Sequence, residues 1–156
     1  MADIRDNDLL FAATGGLTNV GTSETNVVLF RNPSGSTRTV RIKRFVFTNT
    51  RDVSSFVRIR VYVGPTVTGT GTLQTSVALD VGGGASAQGE FRLSPTTSAN
   101  GTQILDYMAP GNVSGFSQIH DAFDGFQLRP NTALLFTASA DGTNREPRIS
   151  IMWEES

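Results

Sequence analysis

Apolar and polar side chains alternate along much of the chain, and the clearest run lies near its end. Leu134, Phe136, Ala138 and Ala140 interleave with Leu135, Thr137 and Ser139. After Asp141-Gly142-Thr143-Asn144, Ile149, Ile151 and Trp153 interleave with Arg148, Ser150 and Met152. A period of two marks a strand half-buried in a sheet, and Asp-Gly between two such runs predicts a β-hairpin. Just before it, Phe126 and Leu128 mark a short strand. Pro130-Asn131 makes a corner, because proline presets φ and asparagine tolerates the left-handed region. These strands are expected to bring the end of the chain back to the middle of a sheet.

The first half reads the same way. Asn26 to Arg31 is a continuous apolar strand closed by the turn Asn32-Pro33-Ser34-Gly35. Thr37 to Thr50 changes phase, since Val40 and Ile42 are even whereas Phe45 and Phe47 are odd. A β-bulge near Lys43-Arg44 brings both pairs to one face, because one extra residue inverts side-chain direction. Phe56 to Val63 places Val57, Ile59, Val61 and Val63 on one face and Phe56, Arg58, Arg60 and Tyr62 on the other. Gly64 to Thr72 reads as a glycine-threonine loop. Leu73 to Val81 and Ala87 to Leu93 then alternate around Gly82-Gly83-Gly84, which predicts a second hairpin.

From Pro95 to Gly125 the strand rhythm weakens. Ile104, Leu105 and Met108 show no clear alternation, and Phe116, Ile119 and Phe123 fall at helical spacing, which predicts a short helix near 117–124. Long excursions of this kind tend to carry function or contacts. Residues 1–25 mix Asp3, Asp6 and Asp8 with one apolar cluster, Leu9, Leu10 and Phe11, and read as an extended N-terminal arm. Residues 26–156 read as one domain. About eight strands, joined mostly by tight turns, predict an all-β, antiparallel β-sandwich of jelly-roll-like form.

Composition agrees with this reading. A chain of 156 residues is long enough to bury a core unaided, and its sixteen glycines and ten phenylalanines suit short strands and tight turns. No cysteine is present, so disulfides and thiolate metal sites are excluded. The start MADIRDNDLL lacks a basic region followed by an apolar run, and no apolar stretch approaches the ~20 residues of a membrane span. Synthesis in a cytoplasm, with no membrane partner, is the expectation.

Charge is less even than the net value of −1 suggests. Between Asn26 and Arg60 lie Arg31, Arg38, Arg41, Lys43, Arg44, Arg51, Arg58 and Arg60 against Asp52 alone, so the remainder is acidic. Such segregation favours association with copies of the chain or with acidic neighbours. Arg41, Lys43, Arg58 and Arg60 alternate with inward residues and are expected to share one face with Phe56 and Tyr62, as single-stranded nucleic acid would need. The pI near 5.7 argues against nucleic acid. A protein interface over Arg38, Arg41, Lys43, Arg44, Arg58 and Arg60, or a plain solvated face, is the better reading.

Candidate chemistry is sparse. His120, the lone histidine, sits in QIHDAFDG beside Asp121 and Asp124, but no nucleophile elbow accompanies it. One imidazole and two carboxylates make a poor metal site, and no phosphate-cradling loop is present. The sequence therefore points away from an enzyme and calls for no cofactor.

The closing strands, LLFTASADG and then ISIMWEE with Trp153 followed by acids, resemble the C-terminal strands of small β-sandwich virion proteins of tailed bacteriophages, among them capsid decoration (cement) and tail or neck accessory proteins. The resemblance implies a structural virion protein, made in the host cytoplasm, that binds and stabilises the particle surface as a homo-oligomer, with a trimer favoured. Its partners would be itself and other virion proteins such as the major capsid protein. Contacts are expected from Leu9, Leu10 and Phe11, from the basic face, and from Tyr107, Phe116, Ile119 and His120 in the excursion. The alternatives are a tail or neck accessory, or a glycan-binding host-recognition module that stacks sugars on Trp153, Tyr62 or Tyr107, of which Trp153 falls on the inward phase of its strand.

Overall fold

A computed structural model of the chain describes residues 9–17, 19–49, 56–79, 86–110, 117–120, 126–142 and 145–156. In chain order the strands are β1 (Leu9–Gly16), β2 (Thr25–Asn32), β3 (Val40–Asn49), β4 (Phe56–Val63), β5 (Thr66–Gly69), β6 (Thr72–Leu73) and β7 (Val77–Ala78). There follow β8 (Glu90–Leu93), β9 (Thr96–Ala99), β10 (Thr102–Pro110), β11 (Ser117–His120), β12 (Gln127–Leu128), β13 (Thr132–Ala140) and β14 (Pro147–Glu155). No helix occurs among the described residues.

Two six-stranded antiparallel sheets form the body. The first runs β11-β3-β14-β1-β7, with β12 also on β3, and the second runs β10-β4-β13-β2-β8-β6. Their inward residues make one shared core. Aromatic rings join the layers: Phe45 meets Phe136 edge-on at 5.0 Å, Phe30 lies 4.9 Å from Trp153, and Phe47 stacks on Tyr107 at 6.2 Å. Each large side chain removed from water here contributes roughly 1.5–3 kcal/mol, and the aromatic pairs add to this by joining the two layers.

The phase change in β3 is resolved by the expected bulge. Met152 pairs with Arg44 and Trp153 with Ile42, which leaves Lys43 as the extra residue. Val40, Ile42, Phe45 and Phe47 are all buried as a result. A second bulge explains the missing rhythm of β10: the register shifts between Gln103 and Leu105, so Leu105 and Tyr107 pack on the core while Ile104 and Met108 are exposed.

Several expectations are corrected. β13 and β14 do not form a hairpin. β13 lies between β4 and β2 in the second sheet and β14 between β3 and β1 in the first, so the bend at Asp141-Gly142 is a corner between layers. The run from Leu73 to Val81 is not one strand either. Leu73 pairs with Arg92, whereas Val77 crosses to the edge of the other sheet opposite Ala12. Gly82 to Gly84 lie outside the described residues. Ser117–His120, expected within a helix, is a strand paired to β3, and 121–124 lie outside the described residues.

Part of the expected arm joins the first sheet. Leu9–Gly16 is a full strand paired along its length with β14, because Phe11 and Ala13 supply the alternation that the first sheet needs. The expected glycine-threonine and PTTSANG loops form a two-stranded ribbon, β5 with β9. Asn26 Nδ2 ties this ribbon to the outer side of the second sheet, donating to the Pro95 carbonyl at 3.2 Å and to Thr97 Oγ1 at 3.1 Å. Leu29 and Leu135, which point away from the shared core, are buried on that side.

Candidate interaction surfaces

The basic residues that the alternation groups together are divided by the fold. Arg41 and Lys43 belong to β3 in the first sheet, and Arg58 and Arg60 to β4 in the second, so their outward side chains face opposite sides of the body. No single basic face exists. Tyr62 is largely buried, whereas Phe56 is exposed.

Each group is also matched by acids from distant parts of the sequence. On the first sheet Arg41 Nη1 lies 3.2 Å and Lys43 Nζ 3.4 Å from the Glu154 carboxylate. Arg44 is opposite Met152 in the register and points to solvent. Arg38 Nη1 reaches Glu155 Oε2 at 3.1 Å. The Glu155 carboxylate is fully buried and also accepts from the backbone N–H groups of Gln88 and Gly89 and from Trp153 Nε1.

On the second sheet a continuous network runs over the outer face. Arg58 makes a two-pronged pair with Asp106, donating from Nε and Nη2, and Arg60 bridges Asp106 at 3.7 Å and Glu24 at 3.1 Å. Glu24 Oε1 accepts from the Tyr62 hydroxyl at 2.7 Å and from Thr137 Oγ1 at 2.5 Å. Burial pushes the Glu24 carboxyl up, but the Thr137, Tyr62 and Arg60 donors outweigh it and hold the group below its ordinary value. Hydrogen bonding to Arg58 does the same for Asp106. Tyr62 is raised, by burial and by the bond it gives to Glu24. Beside the ribbon, Arg31 and Arg92 share Glu90 at 2.7 and 2.6 Å, and these bonds overcome the upward push of burial on that carboxyl.

The other expected contact residues are placed as follows. Phe11 is in the core, stacked on Trp153 at 5.9 Å, and Leu9 packs against the same cluster, so neither is a free adhesive group. Leu10, opposite Glu154, is on the outward side and half-buried. Tyr107 is half-buried on Phe47, and burial raises its hydroxyl above the usual range. Ile119 and His120 sit on β11 opposite Val46 and Phe45, while Phe116 lies outside the described residues.

The described concavities do not gather reactive groups. The widest-lined, about 550 Å³ at one end of the second sheet, holds Arg31 as its single charged residue, beside Ser34, Thr66, Asn131 and Thr132. Two others, of about 430 and 570 Å³, hold one carboxylate each, Glu90 and Glu24, and both carboxylates are already paired with arginine. Among the described residues no three metal-ligating side chains converge, and no helix is long and apolar enough to cross a membrane.

Two features escaped the pattern of the sequence: the acids that neutralise the basic strands, and an exposed apolar margin along β10 formed by Ile104 and Met108 with Phe56 of the adjacent strand. Arg38 and Glu155 are 117 residues apart in sequence and Arg41 and Glu154 are 113, so only the fold brings them together. No known family model, curated protein or solved structure matches this chain.

Proposed function

We propose that the chain is a non-enzymatic structural subunit of a virus particle, a capsid decoration protein that binds the particle surface as a homo-oligomer and stabilises it. The observation that carries this reading is the strand order. In each layer early strands are interleaved with late ones, β11-β3-β14-β1 in one and β10-β4-β13-β2 in the other. Read in chain order, β1, β2, β3 and β4 alternate between layers, as do β10, β11, β13 and β14. That order supports reading the body as a jelly roll, two Greek keys rolled together, an architecture that recurs in viral capsid and lectin domains. Strands β5 to β9 are then an insertion between its two halves.

The step from architecture to particle is one of fold-level analogy, joined to the resemblance of the closing strands. The distribution of charge supports it further. Paired guanidinium and carboxylate groups rigidify both outer faces, which suits a surface that must repeat identically around a particle, since many weak contacts then add through symmetry. A glycan-binding module shares the architecture. The three aromatics expected to form its platform are otherwise engaged, however: Trp153 is wholly buried, the Tyr62 hydroxyl is committed to Glu24, and Tyr107 is stacked on Phe47.

The test is co-purification. Tagged chain expressed in cells that are producing the particles is expected to migrate with them through a density gradient at high copy number, and particles lacking it to disrupt at lower temperature. A low copy number would assign it to the tail or neck. Chain found wholly in the soluble fraction overturns the reading.

A further inference from the structure

We infer that the outer edge of β10 is a self-association seam, at which two copies of this chain pair antiparallel to join their second sheets into one continuous sheet. The inference rests on the homo-oligomeric reading above and names its contact.

Among the described residues five strands end the two sheets. Four are short: β11 has four residues, and β12, β6 and β7 have two each. β10 has nine, and no described strand lies on its outer side. A long edge is a template for another strand, and proteins that remain single blunt such edges with lysines, proline, bulges or brevity. The sequence TQILDYMAP contains no lysine and one charge, Asp106, which Arg58 and Arg60 already hold. Along this margin Ile104 is 40% exposed, Met108 51% and Phe56 39%. Hydrocarbon beside an edge with no described partner is the combination that a partner strand removes from water.

The devices that are present define where pairing occurs. The bulge at Ile104 interrupts the ladder on one side, and Pro110, which has no N–H to give, ends it on the other. The window between them, 105–109, is centred on Tyr107. A two-fold pairing about that centre sets Asp106 of one copy opposite Met108 of the other. It therefore avoids the direct opposition of two carboxylates that a pairing centred on Asp106 would impose. The occupant is accordingly a second copy: an equal strand, antiparallel, whose charges do not clash in the register that the bulge and proline allow. An isologous pair of this kind gives a dimer or assemblies built from dimers.

Five paired residues a side make a contact smaller than the ~1,000 Å² of a stable complex, so the isolated dimer is expected to be weak, on the order of 10–100 µM. Sedimentation of the full chain tests this, with two variants whose side chains are solvent-exposed and whose folding is checked by circular dichroism. Met108→Lys is expected to weaken dimerisation at least about tenfold, and Val77→Lys, on the far edge of the other sheet, to leave it unchanged. Because the chain has no cysteine, Met108→Cys supplies a second readout: in this register the two thiols are diagonal neighbours ~7–8 Å apart, so a short bismaleimide is expected to cross-link the Met108→Cys chain into a dimer and not the Val77→Cys chain. Oligomers that form equally well in Met108→Lys overturn the seam and leave the homo-oligomeric reading standing. Wild-type chain that stays monomeric to about 1 mM overturns both.

Discussion

Glu155 is a carboxylate with no contact with water, and its side chain is nevertheless well served. It accepts from the Gly89 N–H at 2.7 Å, the Gln88 N–H at 2.9 Å, Trp153 Nε1 at 2.9 Å and Arg38 Nη1 at 3.1 Å. The four donors come from three segments, so this one group pins the chain before β8, the entry to β3 and the end of β14 to one another. Gly89 eases the approach: a Cβ there would stand 3.0 Å from Trp153 Nε1 and 3.2 Å from the carboxylate, so both would have to give way by a few tenths of an ångström. Replacing Glu155 by glutamine keeps the shape but removes the charge that Arg38 faces and turns two lone-pair sites into donors opposed to backbone N–H groups. Breaking a buried pair from one side costs about 3–5 kcal/mol. Glu155→Gln is therefore expected to lose about 3 kcal/mol in chemical denaturation, whereas Arg41→Ala, on a half-exposed pair, should lose less than about 1 kcal/mol. Equal losses in the two variants would show that the nest is not the stronger contact.

At the level of elements, the bulge in β3 has the largest consequence for its size. Lys43 is unmatched in the ladder, and its presence lets Val40 and Ile42 before it and Phe45 and Phe47 after it enter the same core. Deleting Lys43 restores a simple alternation and forces one pair outward. Either loss removes two large core side chains at about 2–5 kcal/mol each, comparable with the whole stability of a domain, so the deletion variant is expected not to fold. Lys43→Ala, which preserves the count, should give a native circular dichroism spectrum. This bulge was legible because two apolar pairs of opposite parity leave no other solution. The layer to which a strand belongs was not legible. Alternation says which side chains point inward and nothing about which sheet they point from, and Asp141-Gly142 serves a corner between layers as well as a hairpin. The same gap hid the basic residues' partners, since Arg41 and Arg58 alternate alike yet lie on opposite sheets. In β10 the bulge at Ile104 erased the alternation, and with it the sign of an exposed edge.

At the scale of the whole molecule, carboxylates joined to arginines span both sheets' outer faces, and this gives the body a defined response to acid. Glu24, Glu90 and Asp106 all sit below their ordinary values when folded: in Glu24 and Glu90 hydrogen-bond donors overcome burial, and in Asp106 the Arg58 guanidinium leads. In the unfolded chain the same groups take up protons at the usual carboxylate pH, so below about pH 4.5 the unfolded state binds more protons than the native one. Stability from these groups is thus complete above that value and is lost as pH falls through their folded values. The denaturant midpoint is expected to be flat from neutral pH to about pH 5 and to drop steeply below about pH 4. Glu24→Gln with Asp106→Asn removes two of the three titrating groups, and should lower stability at pH 7 while making the acid limb shallower. An acid limb of undiminished slope in that double variant would place the proton uptake elsewhere and separate the network on the second sheet from acid unfolding. Because Asp106 lies on β10, the same variant also reports on the seam: Arg58 and Arg60, one strand behind it, are left without their shared carboxylate, and each copy then presents unneutralised positive charge beside the contact. Dimerisation should then weaken and become strongly salt-dependent, as exposed like charges are screened within about 10 Å at 0.1 M salt.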